Sequence, residues 1–184
     1  VSGLQVGLEG LADRFLDEVH AVGITTSRLQ LELTETALAA DPDQAGRTLS
    51  ALSEAGFRLA LDDFGTGYSS LTMLRRYPFE VLKIDRSFVG GLGRSAQDES
   101  ITAATISLAH SLGLRTVAEG VETDSQVRFL RQTSCDELQG YLFSKPLWFE
   151  QLVAFVTCVP GESRRFGWNE SSSGGVLRPV GRMP

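Results

Sequence analysis

Residues 57–65 read FRLALDDFG, and this stretch decides the fold. Phe57, Leu59 and Leu61 alternate with smaller or polar residues, which is the pattern of a β-strand with two different faces. The strand ends in the acidic pair Asp62 and Asp63. In parallel α/β folds ligands bind at the carboxyl ends of the strands, so the stretch predicts both a strand and a site at its end.

The same unit of strand and helix repeats on both sides of this stretch. The predicted strands cover residues 29–33, 57–63, 81–85, 114–119 and 137–142. The predicted helices cover residues 8–22, 43–52, 69–76 and 101–112, the surroundings of Val127 and Leu130, and residues 148–156. Five strands that alternate with helices predict an α/β fold with a parallel sheet or barrel.

Composition excludes several classes of function. The 184 residues carry 17 basic and 23 acidic side chains, a net charge of −6, and such a surplus of acid argues against an extended DNA or RNA footprint. No stretch approaches the roughly 20 apolar residues that span a bilayer, and the start lacks a signal-peptide pattern. We therefore expect a cytoplasmic location and no membrane contact from this segment, with any anchor of the parent protein lying upstream.

Charged residues end four successive predicted strands: Glu32; Asp62 and Asp63; Lys83 and Asp85; and Glu119. A single Asp or Glu is usually a helix cap or a solvated surface residue, but that explanation weakens when four strands in a row share the feature. Clustered carboxylates repel one another unless cations lie between them. Oxygen ligands of this kind suit Mg²⁺ or Mn²⁺, and a pair of such ions is the usual device for hydrolysing a phosphodiester.

Five motifs resemble, in order and spacing, those of the EAL-domain cyclic di-GMP phosphodiesterases. They are ELTET (32–36), DDFGTGYSS (62–70), KIDRSFV (83–89), AEGVET (118–123) and QGY (139–141). The resemblance runs from Val1 to Phe155. It implies a TIM-like (β/α)₈ barrel that opens cyclic di-GMP to linear 5'-pGpG with Mg²⁺ or Mn²⁺ in a two-metal site.

The resemblance also implies roles for the charged residues at the strand ends. Glu32, Asp62 and Asp63 match metal ligands of the family, and Glu119 matches a metal ligand or general base. Lys83 matches the residue that holds the nucleophilic water or a phosphate oxygen. Together these five residues are the expected catalytic centre.

Three further residues match positions around that centre. Gln139 is expected to bind substrate at the far rim of the site, and Asp85 to lie close to Lys83. Glu35 is expected to assist catalysis by pinning the loop 63–70, which in the family links the metal site to the dimer interface. The expected partners are therefore cyclic di-GMP, a second EAL domain in a homodimer, and a sensory or GGDEF-type domain upstream.

The chain departs from the family pattern at its start. The Glu-Ala-Leu segment and the metal-binding Asn that would directly precede Val1 are both absent. We therefore expect residues 1–158 to be a partial EAL domain without its first strands, and residues 159–184, rich in Gly and Ser, to be a flexible tail. Because five strands cannot close an eight-stranded barrel, this fragment alone is expected to show little turnover.

Two alternatives stay open at this point. The first is a catalytically incomplete EAL module that binds cyclic di-GMP or a protein partner as a sensor or scaffold. The second is an unrelated barrel, since fold alone does not give function. Glycosidases also use paired carboxylates, but they have no need of Lys83 or of the adjacent acids Asp62 and Asp63.

Overall fold

Five parallel strands form one sheet in chain order in the computed structural model, which describes residues 3–8, 10–39, 41–65 and 71–157. The strands are β1 (Gln30–Thr34), β2 (Arg58–Phe64), β3 (Val81–Ile84), β4 (Arg115–Ala118) and β5 (Glu137–Leu138). Each strand pairs in parallel with its neighbours in sequence. The predicted parallel α/β fold is therefore confirmed.

Helices connect the strands throughout the described ranges. They are α1 (Gly3–Val6), α2 (Leu11–Ala21), α3 (Glu35–Ala39), α4 (Pro42–Glu54), α5 (Leu71–Arg76), α6 (Arg86–Val89), α7 (Ala96–Ser111), α8 (Asp124–Gln132) and α9 (Phe149–Thr157). The helix predicted over 8–22 begins only at Leu11, because Gly10 has a left-handed φ of 69°. The short helices α1, α3 and α6 escaped sequence analysis. None of the described helices is long and apolar enough to cross a bilayer.

The fifth strand is shorter than the predicted range 137–142. Gln139 continues the pairing, since its N–H donates to the Ala118 carbonyl at 2.8 Å and its carbonyl accepts from Val121 N–H at 3.0 Å. The chain then passes so close to the β4 connection that a Cβ on Gly140 would lie 2.1 Å from the Val121 carbonyl oxygen. A turn follows, closed by the Phe143 N–H on the Gly140 carbonyl.

Two faces of the sheet differ as the alternation predicts. Leu33, Leu59 and Leu61 are buried on one face, in a core to which helix α4 contributes Leu49 and Leu52. The opposite face carries a separate small cluster, listed here as Ala60, Val81 and Val117. Small side chains on this second face leave room for the charged residues that follow them along each strand.

Several predicted features lie outside the described residues. They are the tail 159–184, the loop segment 66–70 with the first part of the helix predicted over 69–76, and Cys158.

Candidate active site

Lys83 lies at the centre of the charged cluster. Its side chain is only 5% exposed, and its Nζ lies 2.7 Å from Glu32 Oε2, 3.0 Å from Asp62 Oδ1 and 2.7 Å from Glu119 Oε1. The three carboxylates come from β1, from β2 and from the residue after β4. The structure thus brings together four of the residues singled out from the sequence.

Strand alternation explains why these side chains meet. Asp62, Lys83 and Glu119 each lie two residues after a member of the Ala60 cluster, and side chains two apart in a strand point to the same face. The Glu119 N–H also donates to the Ile84 carbonyl at 3.1 Å, which carries the pairing of β3 and β4 one residue beyond β4. The cluster is therefore fixed by the sheet itself.

Asp63 joins the cluster through an unusual backbone conformation. Its φ of 56° is left-handed, and the register between β2 and β3 shifts between Leu61 and Phe64. Consecutive strand residues normally face opposite ways, but here oxygens of Asp62, Asp63 and Glu119 all lie within 4.8 Å of one another. Such a conformation costs about 1 kcal/mol or more in a non-glycine residue and is commonly retained at functional sites.

Acid exceeds base in this cluster, because the four carboxylates of Glu32, Asp62, Asp63 and Glu119 face the single ammonium of Lys83. Burial and the neighbouring Asp62 raise the pKa of Asp63. Burial likewise raises the pKa of Glu119, against the opposing effect of Lys83. For Lys83, burial opposes the charged form, but its hydrogen bonds to carboxylates prevail and raise the pKa.

These properties fit a divalent cation. Asp62, Asp63 and Glu119 offer hard oxygen ligands at one point, and the raised pKa values of two of them show that negative charge there is poorly compensated. Lys83 supplies only one positive charge. A cation bound by the three acids would supply the compensation that is lacking.

Glu35 lies where the predicted loop contact requires it. The side chain is buried at the start of α3, and its Oε1 accepts a hydrogen bond from Gly65 N–H at 3.2 Å. Gly65 has a φ of 98°, and a Cβ there would lie 2.7 Å from the ring of Phe88. The start of the loop after β2 is thus held from two sides.

The two predicted substrate-binding residues lie at the edge of the cluster. Asp85 caps α6, where its Oδ1 accepts from Ser87 N–H at 3.0 Å. Burial opposes this charge, yet the hydrogen bonds from Ser87 and Arg86 lower the pKa of Asp85. The side chain of Gln139 is exposed. Substrate contacts of both residues stay predictions.

Sequence analysis missed Gln126, a buried amide behind the Glu119 loop. It forms a capping box with Thr123 at the start of α8. The pattern Thr-x-x-Gln before an apolar run is a recognisable signal for such a box, although it does not reveal what else the amide touches.

Comparison with known proteins gives consistent results. The EAL domain family model matches residues 1–146. The chain is 45% identical over 151 residues to the cyclic di-GMP phosphodiesterase NbdA of Pseudomonas aeruginosa, which covers 82% of the chain and 19% of NbdA. It is 42% identical over 156 residues to the bifunctional diguanylate cyclase/cyclic di-GMP phosphodiesterase MucR of the same species, covering 85% of the chain and 23% of MucR. The chain thus spans about a fifth of these relatives.

Solved structures agree with these matches. A cyclic di-GMP complex of the PaMucR phosphodiesterase superposes with a TM-score of 0.78 at 41% identity, covering 83% of this chain and 62% of that one. A manganese/cyclic di-GMP complex of Klebsiella pneumoniae BlrP1 gives a TM-score of 0.71 at 34% identity, covering 76% and 36%. The neighbours are TIM barrels, so the predicted barrel-type α/β fold is confirmed.

Proposed function

This chain belongs to the EAL-domain family, and from that premise we propose that its protein hydrolyses cyclic di-GMP to 5'-pGpG at the Lys83 cluster with two Mg²⁺ or Mn²⁺ ions. One observation carries the proposal. A buried lysine lies among three carboxylates from different strands at the carboxyl end of the sheet, in a chain 45% identical to a cyclic di-GMP phosphodiesterase.

Asp62, Asp63 and Glu119 would hold the metal ions, with Glu32 beside them, since their oxygens already lie close together. Bound divalent ions supply an activated water and stabilise the charge that develops on the phosphodiester. Glu119 suits the water side of this reaction. Burial raises the pKa of its carboxylate, which makes it a stronger proton acceptor than an exposed glutamate.

Lys83 acts as a fixed cation and hydrogen-bond donor. It cannot serve as the base, because hydrogen bonds from its ammonium to Glu119, Glu32 and Asp62 outweigh burial and raise its pKa. A preorganised donor of this kind stabilises negative charge where the phosphorus–oxygen bonds form and break. Its contacts with three strands hold the donor in one place.

The loop contact of Glu35 and the rim positions of Asp85 and Gln139 complete the proposed site. Glu35 would keep the start of the loop after β2 in place through the Gly65 N–H, and Asp85 and Gln139 would contact the dinucleotide. We also propose that the protein acts as a homodimer. A diguanylate cyclase domain elsewhere in the protein is proposed by analogy with the printed name of MucR.

The test uses the full-length protein with Mn²⁺ or Mg²⁺ and measures conversion of cyclic di-GMP to 5'-pGpG by ion-exchange chromatography. We expect chelation to abolish turnover, and Asp62→Asn or Asp63→Asn to lower kcat by about 100-fold or more. Glu137→Gln is the matched control, because it removes an exposed carboxylate that pairs with Arg115 at the opposite edge of the sheet. Turnover that survives chelation would contradict the proposal, and tight binding without turnover would favour a sensor.

A further inference from the structure

Gln126 is a buried amide that joins the loop carrying Glu119 to the segment that follows Lys83. Its side chain is 5% exposed. The Oε1 accepts hydrogen bonds from the N–H groups of Glu122 at 2.7 Å and Thr123 at 2.9 Å, and the Nε2 donates to the Val89 carbonyl at 3.0 Å. The two ends of one amide thus hold two different segments of the chain.

Capping explains only half of this arrangement. A capping box needs the Gln126 side chain to accept from the Thr123 backbone N–H, which it does. The bond to Val89 is additional, because Val89 ends α6 and has no part in α8. A glutamate would cap α8 equally well and would favour the helix N-terminus through its charge, yet it could not donate to a carbonyl.

The joined segments are those that place the two central charges. Helix α6 begins three residues after Lys83, and the loop held by Gln126 begins at Glu119. The same contact surface includes Gly120, where a Cβ would lie 2.5 Å from the Cβ of Arg86. Val121 is fully buried in a cluster with Val89. Gln126 is the side chain that ties this packing together by hydrogen bonds.

We infer that Gln126 is a positioning residue, which through Val89 and the 119–123 loop fixes the Glu119 carboxylate relative to Lys83 and the acids that would hold metal. This inference rests on the proposed function, since Glu119 belongs to the proposed site. A loop freed from Val89 would let Glu119 move away from Asp62 and Asp63, and small displacements of this kind weaken both metal binding and turnover.

The test compares two variants of the full-length protein. Gln126→Glu keeps both acceptor bonds of the cap and loses the donor to Val89. Ser95→Ala is the matched control, because Ser95 caps α7 through the Asp98 N–H at 3.2 Å and has no link to the site. Cyclic di-GMP turnover gives kcat and KM, thermal unfolding gives stability, and electron paramagnetic resonance with Mn²⁺ alone gives metal affinity without turnover.

For Gln126→Glu we expect kcat to fall by about 10-fold with KM changed less than about twofold, and Mn²⁺ affinity to fall by about 10-fold. Ser95→Ala should lower the unfolding temperature and leave kcat and Mn²⁺ affinity unchanged. If kcat and Mn²⁺ affinity of Gln126→Glu match the wild type, or if Ser95→Ala loses them equally, the inference is overturned and the proposed function stands.

The remaining outcomes separate the two proposals. A wild-type protein that binds Mn²⁺ but does not hydrolyse cyclic di-GMP overturns the proposed function, while weaker Mn²⁺ binding in Gln126→Glu would still support the positioning role. A wild-type protein that neither binds Mn²⁺ nor hydrolyses cyclic di-GMP overturns both.

Discussion

The two edges of the sheet hold charge in opposite ways. At the amino edge, Asp136 Oδ2 accepts from the N–H and hydroxyl of Thr116, both at 2.8 Å, and contacts His110 Nε2 at 2.9 Å. At the carboxyl edge, carboxylates outnumber the one ammonium of Lys83. Although burial opposes it, hydrogen bonding lowers the pKa of Asp136, whereas burial raises the pKa of Glu119.

This difference separates a stabilising cluster from a ligand-binding one. A carboxylate with several donors has its lone pairs satisfied and holds neighbouring strands together. Carboxylates that share too few donors cost free energy until a cation arrives. The contrast predicts that changes at the carboxyl edge alter activity and metal response, while changes at the amino edge alter stability alone.

The largest effect is expected for Lys83→Met. Removal of the ammonium leaves the carboxylates of Glu32, Asp62 and Glu119 without their shared partner. We expect kcat to fall by about 1,000-fold and the free energy of unfolding without metal to fall by about 3 kcal/mol. Added Mn²⁺ should restore more stability in the variant than in the wild type, because the cation replaces the missing charge.

Thermal unfolding with Mn²⁺ and with a chelator measures this response. Lys145→Met is the matched stability control, since Lys145 is the other lysine of the chain and is exposed. Equal stability of Lys83→Met and wild type under chelation would show that Lys83 does not compensate the acids, and the contrast between the two edges would be lost.

The sequence predicted the members of the carboxyl-edge cluster better than their geometry. Strand parity alone placed Glu32, Asp62, Lys83 and Glu119 together, because a period of two is a local property. The left-handed turn at Asp63 depends on a register shift between two strands, which no local pattern encodes.

Contacts between distant residues were invisible for the same reason. Gly140 ends β5 because it packs on Val121, and Asp136 bonds to Thr116, 20 positions away. Gln126 shows the boundary well. Its local cap to Thr123 can be read from spacing, whereas its bond to Val89, 37 positions away, requires the folded structure.

A smaller effect is expected for Asp136→Asn. The substituted amide keeps one acceptor but loses the charge that strengthens the bonds from Thr116 and His110, so the free energy of unfolding should fall by about 2 kcal/mol at pH 7 with kcat unchanged. Because the folded-state pKa of Asp136 is lowered, this stability is full above the ordinary aspartate pKa of about 3.9 and is lost as the pH falls through the lowered value.

Urea unfolding at pH 7 and near pH 3 measures the sign of this dependence. The wild type and Asp136→Asn should differ most at pH 7 and should converge in acid. A difference that stays constant between the two pH values would show that the charge of Asp136 contributes nothing, and that shape alone joins β4 to β5.

The smallest effect is expected for the pair Arg115 and Glu137, and it tests why the Lys83 cluster matters. Arg115 Nη1 lies 2.7 Å from Glu137 Oε1, the same distance that separates Lys83 Nζ from Glu119 Oε1. The side chains of Arg115 and Glu137 are 45% and 40% exposed, however, against 5% for Lys83. Water and salt screen the exposed pair, so a double-mutant cycle should give a coupling below about 0.5 kcal/mol that vanishes near 1 M salt. A salt-resistant coupling above about 2 kcal/mol would mean that distance outweighs burial, and the poor compensation inferred for the buried acids would then lack its physical basis.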